Sequence, residues 1–163
     1  MISMDRQIIA QICAHAEDAY PFECCGIVTG SANGREWAVH RCANIQNRLH
    51  EEDPQQFPED ARTAYYVDPG DQFRILREAK RAEHTIKGFY HSHPDHEAYF
   101  SKHDEERSLI WGEPAYPGAW YMIVSVKRGK AKDIACFAWD KDKRAFSRQP
   151  IDLLDRGNQE KEL

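Results

Sequence analysis

The chain has 163 residues, 41% of them hydrophobic and 30% charged, with 22 basic and 27 acidic residues for a formal net charge of -5. That is the size and balance of one globular domain. It holds no basic run of five or more to grip a nucleic-acid backbone, and no stretch near the ~20 apolar residues of a membrane span. The five cysteines are an odd set with no CxxC, which argues against a disulfide framework, a zinc ribbon and a thioredoxin-type site. The opening MISMDRQ lacks the apolar core of a secretory signal, so a reducing cytoplasm is the expected setting.

Residues 5–19 are expected to be helical, because Ile8, Ile12, Ala16 and Ala19 recur at spacings of three and four. Pro21 stops that helix. Residues 24–30, CCGIVTG, read as a buried strand, and Asn33-Gly34 as a hairpin turn into a partner strand at 36–43. Residues 44–62 are polar with two prolines and read as one long functional loop. A strand at 63–67 follows. A second helix is expected over 69–83, with Phe73, Leu76 and Ala79 on one face. Next come a strand over 86–92 that runs into Pro94, a third helix over 102–111 and a turn-rich loop at 112–118. Strands at 119–127 and 131–139 form a hairpin, and 143–149 adds one more strand. Trp111, Trp120 and Trp139 are expected in the core or at its rim. Helices and strands alternate first and a meander follows. That order gives a single α/β (α+β) domain over residues 1–150 with a mixed sheet, and a polar tail over 151–163.

The chemistry is concentrated. Four of the eight histidines, His91, His93, His96 and His103, fall within thirteen residues, with Asp95 and Asp104 among them. His91 and His93 are two apart on an expected strand, so both side chains point to one face. Pro94 ends that strand, as at the edge of a sheet. Ser101 is a good N-cap and Asp104 stands three residues later, close to a capping box. The helix start keeps Asp104 ionised, as a metal ligand must be. Two imidazoles and one carboxylate leave a tetrahedral zinc one open position for water, the catalytic pattern. Glu23, at the mouth of the buried strand, is the candidate base; the plainer reading is a surface acid at a helix end. His96 and His103 are expected to be exposed. Cys24 and Cys25 suggest a nucleophile with a histidine base, but adjacent cysteines opening a buried strand read as core.

The run His91-Ser92-His93-Pro94, six residues, Ser101, two residues, Asp104 resembles the JAMM signature of the MPN+ metallopeptidases at every defining position. Pro21-Phe22-Glu23-Cys24-Cys25-Gly26 resembles that family's segment with the catalytic glutamate, and 61–66 its compact bacterial branch. The resemblance runs from the first helix to the last strand. It implies a mixed curved sheet flanked by helices, with His91, His93 and Asp104 binding Zn2+. Glu23 would take a proton from water and pass it to the leaving amine. Ser101 would donate to the developing oxyanion while its lone pairs serve the helix cap. It also implies cleavage of a peptide or isopeptide bond, trimming the C-terminal tail of a ubiquitin-like or sulfur-carrier protein. Segments 44–62 and 112–118 are then expected to flank a groove that clamps the tail as an added strand. Two rivals stand beside this reading. One is a metal-free MPN-type binding scaffold, which usually lacks a ligand. The other is a metallo-β-lactamase-like hydrolase, since residues 91–96 also spell HxHxDH, though no histidine follows His103.

Overall fold

The computed structural model describes residues 1–155. In chain order the elements are β1 (Ile2–Asp5), α1 (Arg6–Ala19), β2 (Cys25–Ser31), β3 (Trp37–Cys42), α2 (Gln46–Glu52), α3 (Pro69–Arg81) and β4 (His84–Pro94). Then follow α4 (Lys102–Arg107), β5 (Leu109–Ile110), β6 (Glu113–Pro114), β7 (Trp120–Lys127), β8 (Lys130–Asp140), β9 (Ala145–Gln149) and β10 (Ile151–Leu154). Six strands form one sheet in the order β3-β2-β4-β7-β8-β9. Its pairs are antiparallel except β4 with β7, which run parallel. A parallel pair needs a crossover, and this one carries α4, β5 and β6. The fold is α+β with a mixed sheet, as expected. No helix among the described residues is long and apolar enough to cross a membrane.

Alternation along the strands divides the core between two faces. Ile8, Ile12 and Ala16 of α1 pack with Val28, Tyr90, Trp120, Met122 and Val124. Ile75 of α3 packs with Cys25, Ile27 and Cys42. Cys24 and Cys25 are buried, as expected. The backbone is crowded at Gly26, where a Cβ would sit 2.2 Å from the ring of buried Tyr90. Gly26→Ala should therefore cost about 1–3 kcal/mol, the usual range for overpacking. An unchanged urea midpoint would show that the ring yields.

Several expectations are corrected. Residues 2–5 form a strand, and residues 151–154, expected in the tail, form its parallel partner. Ser3 pairs with Asp152, 149 residues away, a contact no local pattern encodes. The rest of the tail, 156–163, lies outside the described residues. Residues 44–62 are not one loop, because α2 forms within them. Residues 63–67 are not a strand; only Val67 bridges, to Asn44. The third helix stops at Arg107, and β5 follows. Its neighbour Trp111 is 99% exposed, not packed. It occupies a left-handed turn (φ 52°) between the two-residue strands β5 and β6, where no element covers it. On α3 the buried residues are Ile75 and Ala79, while Phe73 is 67% exposed. Pro94 closes a central strand, not an edge one, and the next amide resumes the ladder as Asp95 N–H donates to Val126 O at 2.6 Å.

Candidate active site

The antiparallel pairing of β2 with β4 sets Cys25 opposite His91. Glu23, just ahead of β2, therefore arrives beside the end of β4. The N-terminus of α4 brings Asp104 to the same place. His91 and His93 share a face, and their Nε2 atoms are 3.2 Å apart. Asp104 Oδ2 lies 3.3 Å from His91 Nε2 and 3.8 Å from His93 Nε2. Glu23 Oε1 lies 3.9 Å from His93 Nε2. All four side chains are buried. One donor atom each from Glu23, His91 and His93 fall within 4.8 Å of one another. By distance to both imidazoles, however, Asp104 is the better placed carboxylate.

The donor set suits a cation. His93 Nδ1 lies 2.8 Å from the carbonyl oxygen of Glu97. A carbonyl only accepts, so Nδ1 carries the proton and the Nε2 lone pair faces the cluster. Two imidazole nitrogens and two carboxylates then share a buried pocket. Glu23 Oε2 is the one buried side-chain polar atom among the described residues without a hydrogen-bond partner. Such an orphan is costly in a protein interior and calls for a ligand.

Ser101 and Asp104 form a complete capping box. Asp104 N–H donates to Ser101 Oγ at 3.0 Å, and Ser101 N–H to Asp104 Oδ2 at 3.0 Å. The same Oδ2 thus serves the cap with one lone pair and faces the imidazoles with the other. Ser92, between the two histidines, accepts Cys24 N–H at 2.8 Å and ties β2 to β4 beside the site.

Burial raises the Glu23 carboxyl to about 9, helped by Asp104 and Glu59 and opposed by Arg107. Burial also works to raise Asp104, but the charge of His91 and hydrogen bonds from His91, His93 and Ser101 outweigh it and hold that carboxyl below the usual range. Burial lowers His91 against the pull of Asp104, which favours the neutral imidazole that a metal requires. These shifts have a consequence for stability. Glu23 is more basic folded than unfolded, so its stabilising contribution is full below pH ~4.5 and is lost as pH rises toward 9. In metal-free protein, Glu23→Gln should gain thermal stability over wild type between pH 5 and pH 8. A constant gap between the two melts would refute the raised pKa.

Other expected residues fall elsewhere. His96 and His103 are exposed, as expected, and line the rim of a cavity of about 320 Å³ over the cluster. Asp95 takes the hydroxyl of Tyr20 at 2.7 Å and the amide of Arg128 at 2.9 Å, away from the cluster. It is no ligand, which removes the HxHxDH reading. Burial pushes the Cys24 thiol up to about 12, opposite to what a nucleophile needs. Of the two expected flanking segments, the first supplies Glu59 to the cavity wall. The second does not reach it: Ala115 and Tyr116 line a separate aromatic cavity of about 350 Å³.

Three contributors have no local sequence signal. Glu97 acts through its carbonyl, which any residue carries. Asn44 donates to Glu23 O at 2.9 Å and Ala64 O at 3.3 Å, and accepts from Gln46 N–H and Tyr66 N–H at 3.0 Å each. Tyr65 stacks on His91 with ring centroids 4.5 Å apart.

A mixed sheet that sets two strand histidines against a helix-capping aspartate, with a buried glutamate alongside, defines a JAB/MPN-type domain. Residues 5–140 match the family of prokaryotic homologs of the JAB domain, and the chain belongs to that family. It is 31% identical over 106 residues to a desampylase from Haloferax volcanii, covering 64% of this chain and 63% of that protein. It is 27% identical over 120 residues to the CysO-cysteine peptidase of Mycobacterium tuberculosis, covering 74% of this chain and 70% of that protein. The alignment thus takes in less than two thirds of the desampylase. A JAB1/MPN domain protein from Archaeoglobus fulgidus shares the fold with a TM-score of 0.51 over 95% of this chain and 98% of that one, at 13% identity.

Proposed function

We propose that the chain is a zinc-dependent hydrolase of peptide or isopeptide bonds that trims the C-terminal tail of a ubiquitin-like or sulfur-carrier protein. The observation that carries this is the buried meeting of His91, His93 and Asp104 beside the unpartnered Glu23 Oε2. His91, His93 and Asp104 would hold the ion. When bound, Zn2+ supplies Lewis acidity at the scissile carbonyl and lowers the pKa of the attacking water. Glu23 takes that water's proton and returns it to the leaving amine. In the metal-free chain burial and the Asp104 carboxylate raise its proton affinity; a bound cation would offset both and leave the carboxylate free to accept a proton. Ser101 Oγ accepts in the helix cap, so its O–H remains a donor for the oxygen that gathers charge.

The names of the relatives support a protein tail as substrate. The acidic balance of the chain argues against nucleic acid. The free cysteines accord with a reducing cytoplasm. The test is to count zinc per chain and then offer ubiquitin-like carriers extended beyond their C-terminal glycines. Chelator-sensitive release of the extension is expected. Full zinc occupancy without cleavage of any tail would overturn the substrate, and no zinc after reconstitution would overturn the enzyme.

A further inference from the structure

Imidazole orientation about its last torsion is only weakly set by the side chain itself. A histidine ligand therefore needs a second contact to hold its ring. His93 receives it from the carbonyl of Glu97. His91 receives it on its face, from the ring of Tyr65, stacked at 4.5 Å with 27° between the planes.

Tyr65 stands in no helix or strand, so side chains do the work of a ladder there. Asn44 clamps the backbone on both sides of it, donating to Ala64 O and accepting from Tyr66 N–H. The Arg107 guanidinium lies 5.0 Å from the Tyr65 ring centroid and donates to the Tyr65 carbonyl. Arg107 is one helical turn beyond Asp104, so α4 carries a ligand at its start and a brace for the opposite wall at its end. Tyr65 also lines both the cavity over the cluster and the aromatic cavity floored by Phe89 and Tyr121.

We infer that Tyr65 is a positioning residue for His91, braced by Arg107 and Asn44, and that the stacked ring sets the affinity of the site for its metal. This rests on the reading of the cluster as a zinc site. It is tested on the full chain by zinc competition with a chromophoric chelator, and by the visible spectrum of the Co2+-loaded protein. Tyr65→Leu and Tyr65→Ala should bind zinc ~10–100-fold more weakly, the usual effect of removing a partner that orients a ligand, and should alter the Co2+ bands. Tyr65→Phe should restore both, since the stack needs the ring and not the hydroxyl. Arg107→Ala, an exposed change, should weaken zinc in the same direction by less. Melts of the metal-free proteins separate folding from binding. If Tyr65→Ala does not fold, Tyr65→Leu and Arg107→Ala decide. Wild-type affinity in those two variants would overturn the inference alone. No zinc in the wild-type chain would overturn the reading of the site, and the inference with it.

Discussion

Glu23→Gln is expected to keep its zinc and to lose turnover by ~10²–10⁴-fold, the contribution of a positioned proton carrier. The amide has nearly the same shape and still fits the buried position. It cannot accept a proton from water, and it cannot deliver one to an amine. Glu23 is 6% exposed and its Oε2 has no protein partner, so the substitution breaks no hydrogen bond within the chain. It also removes a group whose ionisation burial disfavours. Loss of turnover therefore cannot be blamed on unfolding. The measurement is kcat on a cleaved carrier tail, set beside zinc per chain from the same preparation. Full turnover with full zinc would move the base elsewhere.

His93→Ala is expected to empty the site of zinc, with an affinity loss beyond the ~10–100-fold that outer partners cost. It removes one of only two imidazole nitrogens in the cluster. It also leaves the Glu97 carbonyl without its donor and two buried carboxylates with less to offset them. Asp104→Asn should weaken zinc too, for a different reason. The amide oxygen can still accept Ser101 N–H, so the capping box and α4 survive, but the ligand charge is gone. Elemental analysis after dialysis against a chelator reads both variants, with circular dichroism as the check on α4. Unchanged zinc in Asp104→Asn would make Glu23 the third ligand, since its Oε1 also lies near the imidazoles.

Some of this site could be read along the chain because its geometry is local. Period two puts His91 and His93 on one face wherever the strand lies. The three-residue step from Ser101 to Asp104 makes a capping box wherever the helix lies. The hairpin joined at Asn33-Gly34 forms as expected, with Gly34 at φ 69°. The burial of Cys24 and Cys25 followed from an apolar run. The errors share one cause as well. Phe73 and Leu76 kept a helical period, but which stripe of α3 meets the sheet was settled by Ile27 and Cys42 across the core. Trp111 reads as core by its composition alone, yet a two-residue ribbon offers it nothing to pack on. A lone proline reads as an edge, because the amide that replaces its missing donor belongs to Asp95 and reaches across to β7.

The identity of the clustered residues and their order in the chain were thus set by local spacing. The fold decided what those groups can do. Glu23 is a common surface residue type until β2 pairs with β4 and residues 59–66 close over it. Only then does desolvation raise its proton affinity and leave an oxygen unpaired. Tyr65 and Asn44 follow the same logic, because the ring stack joins Tyr65 to His91 on another element and three of the four Asn44 bonds reach residues 20 to 22 positions away. Spacing acts through the backbone period, which every chain shares. Proton affinity, ring orientation and the shape of the cavity depend on what excludes water, and that is a property of the packed structure.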